Sequence, residues 1–358
     1  MAESLQLPEV GKISPQAFDT FVYPHLGAKR LEVLVGPQAG VDIGVTRVAS
    51  GVVMATTTDP LFVVPAYGWQ RAAWFAAHIV ASDAATSGLA PHLMTVDLNL
   101  PLSMTTKDFE EFWTAFASAL QEMEIAVVSG HTARYEGCAY PMVGGATVMS
   151  IGPEDRYITA AGARIDDMVL CTKGAAIEAT ALMAATFPDY FIRQVGVDVQ
   201  AAADRLFERM TVVPDARIAA RVGVRDAGVT AMHDATECGV IGGVFEMAQA
   251  ANLGIEIDDA AIPILPETAA ICQVTGMDPL NAISEGTLLL TVRPQHVDAV
   301  LKALRAAQID AAVIGRMQAK EKGRWRVQNG RKMPLVHPGV DPFWAAFSHV
   351  AEKAGGSS

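Results

Sequence analysis

At 358 residues, with 27 basic and 39 acidic side chains and a formal charge of −12, the chain is too long for one ordinary core and too acidic to hold nucleic acid by general electrostatics. Hydrophobic residues make up 51% and charged ones 18%, yet no apolar run approaches the roughly 20 residues of a bilayer span, so the apolar excess is expected inside the fold or between subunits, not in a membrane. Met1-Ala-Glu-Ser-Leu-Gln lacks a basic stretch followed by an apolar one, which predicts a cytoplasmic protein. Cys138, Cys171, Cys238 and Cys272 form no Cys-x-x-Cys pair, so neither a disulfide framework nor structural zinc is indicated.

In chain order, segments 31–35, 45–56, 94–100, 125–129 and 141–151 are short and rich in Val, Ile, Met, Thr and Ala, as strands are. Between them, 69–87 places Trp69, Ala72, Ala73, Ala76, Ile79 and Val80 near helical spacing, and Thr106 is the expected cap of a helix over 107–122. Turn residues at 151–165 suggest a boundary. The second half alternates strands (167–172, 229–232, 254–257, 287–292, 311–315) with helices (175–186, 214–222, 239–252, 265–273, 295–306), with 187–212 left as a long variable stretch. Residues 319–342 are basic and proline-punctuated. The fold class predicted is α/β (α+β) with two domains, 11–158 and 159–350, and a flexible tail at 351–358.

The chemistry-bearing residues are acids set beside glycine or other small residues at expected strand ends: Asp42, Asp59, Asp83, Asp234 and Glu285. Mg²⁺ is hard and prefers carboxylate oxygens, and small neighbours let backbone amides approach phosphates, so even an acidic protein can hold a nucleoside triphosphate. Asp42 lies in the turn Gly36-Pro-Gln-Ala-Gly40-Val-Asp42. Asp59 is followed by Pro60, which predicts a strand stop with the carboxylate at its edge. Asp83 follows a small-residue helix, where a buried acid must pair, bind metal or face water. Ser129-Gly130-His131-Thr132 offers backbone and imidazole to a ligand, or else a structural histidine. His233-Asp234-Ala-Thr-Glu-Cys238 opens a helix whose first amides suit an anion, although Asp234 or Thr236 is equally a simple cap. Taken alone, Glu285 reads as a turn residue as readily as a general base.

In this order the pieces resemble the AIR synthase superfamily over about residues 11–317: the aspartate turn at 36–44, Thr-Thr-Asp at 57–59, the Ser-Asp element at 82–88, Gly-His-Thr at 130–132 and Asp-Ala-Thr-Glu at 234–237. The second half, with Gly254-Ile-Glu-Ile, Asp278-Pro-Leu-Asn281 and Glu285-Gly286, is most similar to the hydrogenase-maturation carbamoyl dehydratase (HypE-type) branch. The N-terminal Gly11-Lys-Ile and Val35-Gly-Pro also resemble archaeal-type relatives of AIR synthase.

The resemblance implies a homodimer whose N-terminal domains join strands into a shared sheet or barrel, with ATP and Mg²⁺ in a cleft between domains and subunits. It implies an enzyme that activates an amide, thioamide or carbamoyl oxygen by phosphorylation on a small-molecule or protein-borne acceptor. Asp42, Asp59, Asp83 and Asp234 would hold the metal. Gly40, Gly130, His131 and Thr132 would approach the phosphates, and Asp83 and Glu285 would serve the chemistry, Glu285 as proton acceptor.

The chain departs from the branch in ending Gly-Gly-Ser-Ser with no cysteine after Cys272, so the acceptor is expected to be separate. Cys238 replaces a usual glycine and is either a small buried thiol or a nucleophile activated at a helix N-terminus. A small-molecule kinase, or a nucleotide-binding assembly or regulatory subunit without turnover, are the competing readings.

Overall fold

The computed structural model describes residues 15–355. After a short helical turn α1 (Pro15–Ala17), the chain forms β1 (Val33–Val35), β2 (Gly44–Ala49), β3 (Val52–Phe62), α2 (Trp69–Ala85), β4 (Pro91–Leu100), α3 (Thr106–Glu122), β5 (Ala126–Arg134) and β6 (Met142–Pro153). The six strands make one sheet in the order β1-β2-β3-β6-β4-β5, antiparallel except where β4 meets β5.

There follow β7 (Met168–Thr172), α4 (Ile177–Thr186), α5 (Pro188–Val195), α6 (Val197–Arg205), α7 (Val213–Val222), β8 (Val229–Asp234), α8 (Gly239–Ala250), β9 (Gly254–Asp258) and α9 (Pro266–Thr275). Then come β10 (Leu288–Val292), α10 (Val297–Ala306), β11 (Ala311–Gln318), β12 (Arg324–Gln328), β13 (Arg331–Pro334) and α11 (Pro342–Gly355). These strands form a second sheet, β13-β12-β9-β11-β7-β10-β8. The result is a mixed α/β chain with two sheet-containing halves, as expected.

Helix α2 joins them. Its alanines 72, 73, 76, 77, 81, 84 and 85 are all buried, because the first sheet and α3 lie on one side and elements of the second half on the other. A helix buried nearly all round has little room for large side chains, which is why this one is alanine-rich. One apolar cluster runs from Met94, Leu98, Phe112 and Phe116 through α2 to Leu170, Met232 and Leu290 of the second sheet.

Several local expectations change. The segment 45–56 is a hairpin, β2 turning into β3 at Gly51 with φ +70°. Strand β3 does not stop at Asp59-Pro60 but runs on to Phe62. Its pairing with β2 extends only to Thr56, so beyond that point one side of β3 is an edge, where a proline costs no ladder hydrogen bond. Thr105, not Thr106, caps α3, in a reciprocal box with Asp108. The stretch 187–212 is helical through α5 and α6, while 319–342 contains β12 and β13. The flexible tail is corrected as far as residue 355: residues 351–355 continue α11, whose Phe343, Ala346 and Val350 are buried in an apolar cluster that also holds residues of α4 and α9, and 356–358 lie outside the described residues.

Candidate functional site

The turn before β2 meets the head of the second half through His233, at the end of β8. Its Nδ1 lies 2.8 Å from Asp42 Oδ2 and its Nε2 lies 2.9 Å from Glu246 Oε2 on α8. Burial opposes charge on this ring, but Asp42 and Glu246 together outweigh it and raise its pKa well above the usual histidine value. With both nitrogens committed to carboxylates, His233 acts as a cationic clamp on Asp42. Gly40 makes the approach possible: its φ is +71°, and a Cβ there would meet Glu246 O at 3.0 Å.

Asp234 follows on the same strand, 1% exposed, and its Oδ2 is buried without a hydrogen-bond partner. Donor atoms of Asp42, His233 and Asp234 lie within 4.8 Å of one another. Asp83 reaches the Asp234 carboxyl closely enough to favour its ionised form, and Thr57 Oγ1 donates to Asp83 Oδ2 at 3.0 Å. Burial, and then the charge of Asp42, hold the Asp234 carboxyl up at about 6. Asp83 therefore does not follow α2 as expected but sits in its last turns. Asp59 lies two residues beyond Thr57 on β3 and shares its side of the strand by the two-residue alternation.

A second group of acids adjoins the first. Glu285, in the loop before β10, is 1% exposed. Its Oε1 accepts from Gly286 N–H at 3.0 Å while its Oε2 is buried and unpartnered. Burial, Asp234 and Glu178 push its carboxyl well above the ordinary range. The Glu285 backbone N–H donates to Glu178 Oε2 at 3.0 Å, and burial followed by neighbouring acids raises Glu178 to about 7. Asp341, at the head of α11, accepts from Cys238 N–H at 2.6 Å and from Phe343 N–H at 2.8 Å. The sequence signals for Glu178 and Asp341 were weak, a helix-start acid and an Asp-Pro pair, and neither was singled out.

Cys238 requires a correction. Its backbone lies in the left-handed region at φ +64°, which explains why a glycine suits this position. Burial, with Asp341 and Glu237 adding to it, pushes the thiol up to about 11, so the expected activation at a helix start is reversed.

Gly130, His131 and Thr132 do not stand at a strand end either; they lie inside β5, the outer strand of the first sheet, with β6 and β4 between it and β3. His131 and Thr132 are exposed, and His131 Nε2 lies 3.0 Å from the Tyr135 hydroxyl. At a strand spacing of about 4.8 Å, three inter-strand steps separate them from β3 by roughly 14 Å, so the fold of one chain does not bring them to the acids.

Residues 40–151 match the N-terminal domain, and 164–328 the C-terminal domain, of the family described as AIR synthase related protein. The chain belongs to the AIR synthase-related family. The curated relatives it matches include a carbamoyl dehydratase and a selenide, water dikinase, both named as enzymes. It is 27% identical over 277 residues to the carbamoyl dehydratase HypE of Bradyrhizobium diazoefficiens, a match covering 75% of each chain. Among solved structures it is similar to HypE of Escherichia coli, with a TM-score of 0.67 and 24% identity over 81% of this chain and 87% of that one. It is also similar to a HypE structure in complex with ATP, at TM-score 0.63 and 19% identity over 90% of this chain and 91% of that one. Both likenesses concern the AIR synthase-related fold. No helix among the described residues is long and apolar enough to cross a membrane.

Proposed function

We propose that the protein uses Mg-ATP to activate an amide, thioamide or carbamoyl oxygen on a separate acceptor, followed by dehydration or displacement. The observation that carries this reading is the convergence of Asp42, Asp83 and Asp234 from three distant parts of the chain, with Asp234 Oδ2 buried and unpartnered. Burying carboxylates beside one another is costly unless a cation compensates, so the donor set fits a hard divalent ion. Asp42, Asp83 and Asp234 would hold Mg²⁺, with Asp59 nearby on β3; bound there, the ion would neutralise phosphate charge and orient the nucleotide.

His233 already uses both nitrogens, so its part is to fix Asp42 rather than to ligate. Glu285, held by Gly286 N–H and Glu178, presents one bare carboxyl oxygen and is the residue proposed to accept the acceptor's proton. Its raised affinity for protons makes it a stronger base once ionised. Asp83, held by the Thr57 hydroxyl, brings its own carboxyl from the first half to Asp234. The burial of Cys238, with its thiol pushed up to about 11, favours the small buried thiol over the nucleophile.

We further propose that the protein works as a homodimer through β5. This strand is exposed along its length and carries Val127 and Val128, 40% and 54% exposed. Pairing of β5 with a second copy is the arrangement that would carry Gly130, His131 and Thr132 to a neighbouring site.

The test is incubation of the full chain with Mg-ATP and candidate primary amides or thioamides, following ADP, phosphate and loss of one water from the acceptor. Asp83→Asn and Asp234→Asn are expected to reduce turnover by about 10²-fold or more. A stable phosphoester product by phosphorus NMR would convert the reading to a kinase. Absence of nucleotide hydrolysis with every acceptor would favour a regulatory subunit.

A further inference from the structure

Between β13 and α11 the chain runs along α8 as an irregular strap, residues 335–341. Both of its ends are fixed. Leu335 is 3% exposed and its N–H donates to the Arg324 carbonyl at 3.0 Å, while Asp341 accepts from the Cys238 N–H at 2.6 Å. Cys238, Gly242 and Glu246 stand four residues apart, so they share one face of α8, and it is this face that the strap follows. Gly242 keeps that face open: a Cβ there would meet Cys238 Cβ at 2.7 Å and His337 Nε2 at 3.5 Å.

His337 lies in the middle of the strap, and its ring is oriented from two sides. The Gly339 N–H donates to Nδ1 at 3.0 Å, so the proton of the neutral ring sits on Nε2. The ring packs edge-on against Phe245, with centroids 5.7 Å apart, and Nε2 comes to 3.5 Å from Glu246 Oε1. Glu246 gives its other oxygen, Oε2, to His233 Nε2 at 2.9 Å, and His233 Nδ1 meets Asp42 Oδ2 at 2.8 Å. Four side chains thus stand in line from the strap to the candidate metal site. The Glu246 side chain is 36% exposed, so without His337 water competes for Oε1 and the carboxylate regains rotamer freedom.

We infer that His337 is a positioning residue for the metal and nucleotide site: through Glu246 it fixes the orientation of His233, and through His233 that of Asp42. This role rests on the Mg-ATP reading of Asp42, Asp83 and Asp234 and adds to it a residue from a stretch that reads in the sequence only as basic and proline-punctuated. It also accounts for the two anchors of the strap. Leu335 and Asp341 hold still the backbone from which His337 reaches α8.

The experiment uses the full-length protein with the non-hydrolysable analogue AMPPCP and Mn²⁺ in place of Mg²⁺, free Mn²⁺ being read by electron paramagnetic resonance. His337→Ala is expected to weaken Mn²⁺ binding about three- to tenfold, less than loss of His233 because it acts one residue further out. His337→Gln, whose amide N–H can still reach Glu246, is expected to stay within about twofold of wild type. In a Glu246→Ala background, where the link is already cut, His337→Ala is expected to cost less than about twofold. Thermal melts by circular dichroism verify that each variant is folded. Unchanged Mn²⁺ affinity in His337→Ala overturns the inference, as does an equal loss with and without Glu246. A loss that His337→Gln shares in full overturns it too, because packing on Phe245 then explains the effect. Failure of wild type to bind Mn²⁺ at all sinks the metal reading of the acids instead, so the two failures are told apart.

Discussion

His233 Nδ1 and Asp42 Oδ2 lie 2.8 Å apart although 191 residues separate them in the chain. The contact ties the turn of the first half to the last residue pair of β8 in the second, and Glu246 completes it from α8 at 2.9 Å. Removing the imidazole takes away the group that bridges Asp42 and Glu246, and Glu246 keeps His337 Nε2 at 3.5 Å. His233→Ala is expected to weaken Mg-AMPPCP binding about 10- to 100-fold, measured by calorimetry, with a smaller loss in His233→Lys, which keeps the charge.

Cys238 combines a left-handed backbone, 4% exposure and a thiol pushed up to about 11. Cys238→Ser and Cys238→Gly are expected to retain ATP turnover to within about threefold, and the glycine variant to change stability by no more than about 1 kcal/mol, because relief of strain offsets the added freedom of the unfolded chain. Alkylation by iodoacetamide at pH 8, followed by mass spectrometry, is expected to modify the partly exposed Cys138 well before Cys238. Loss of turnover in both variants would restore a chemical role for the thiol.

Lys173 and Asp215 form an ion pair at 2.8 Å, with exposures of 6% and 0%. Lys173→Met strands the aspartate and is expected to lower stability by about 3–5 kcal/mol in urea denaturation. Lys173→Met combined with Asp215→Leu is expected to recover most of that loss, giving a coupling of several kcal/mol in the double-mutant cycle.

His78 sits in α2 with Nδ1 2.9 Å from Thr211 Oγ1, its ring stacked on Trp74 and its Nε2 buried without a partner. Burial lowers its pKa to about 4. Because the folded value lies below the unfolded one, the unfolded chain takes the proton first, and stability is lost as pH falls from about 6.5 toward 4. The cost by pH 5 is about 2 kcal/mol. Denaturation midpoints at pH 7 and pH 5 are expected to converge in His78→Gln relative to wild type.

Much of the architecture was legible before the fold was known. Most strands of both halves and the helices around 69–87, 107–122, 239–252 and 295–306 follow from side-chain periodicity, which is a local property and survives into the structure with shifts of a few residues at the ends. What periodicity misplaced were the neighbours of Asp59 and His131. Both lie within strands whose length is set by pairing partners, β6 for one and β4 for the other, and no local signal reports where a ladder ends.

By itself the sequence determined that acids beside small residues recur in a family order, and that the chain alternates strands and helices in two halves. Only the tertiary structure decided which acids share a site. Asp42, Asp83 and Asp234 meet because α2 and β8 are packed into one apolar core. His233 proved to be the counter-ion of Asp42, and Glu178, unremarkable in the sequence, proved to be the neighbour of Glu285. The physical reason is that a buried charge is defined by what surrounds it in space, and a chain written in one dimension records the charge but not its surroundings.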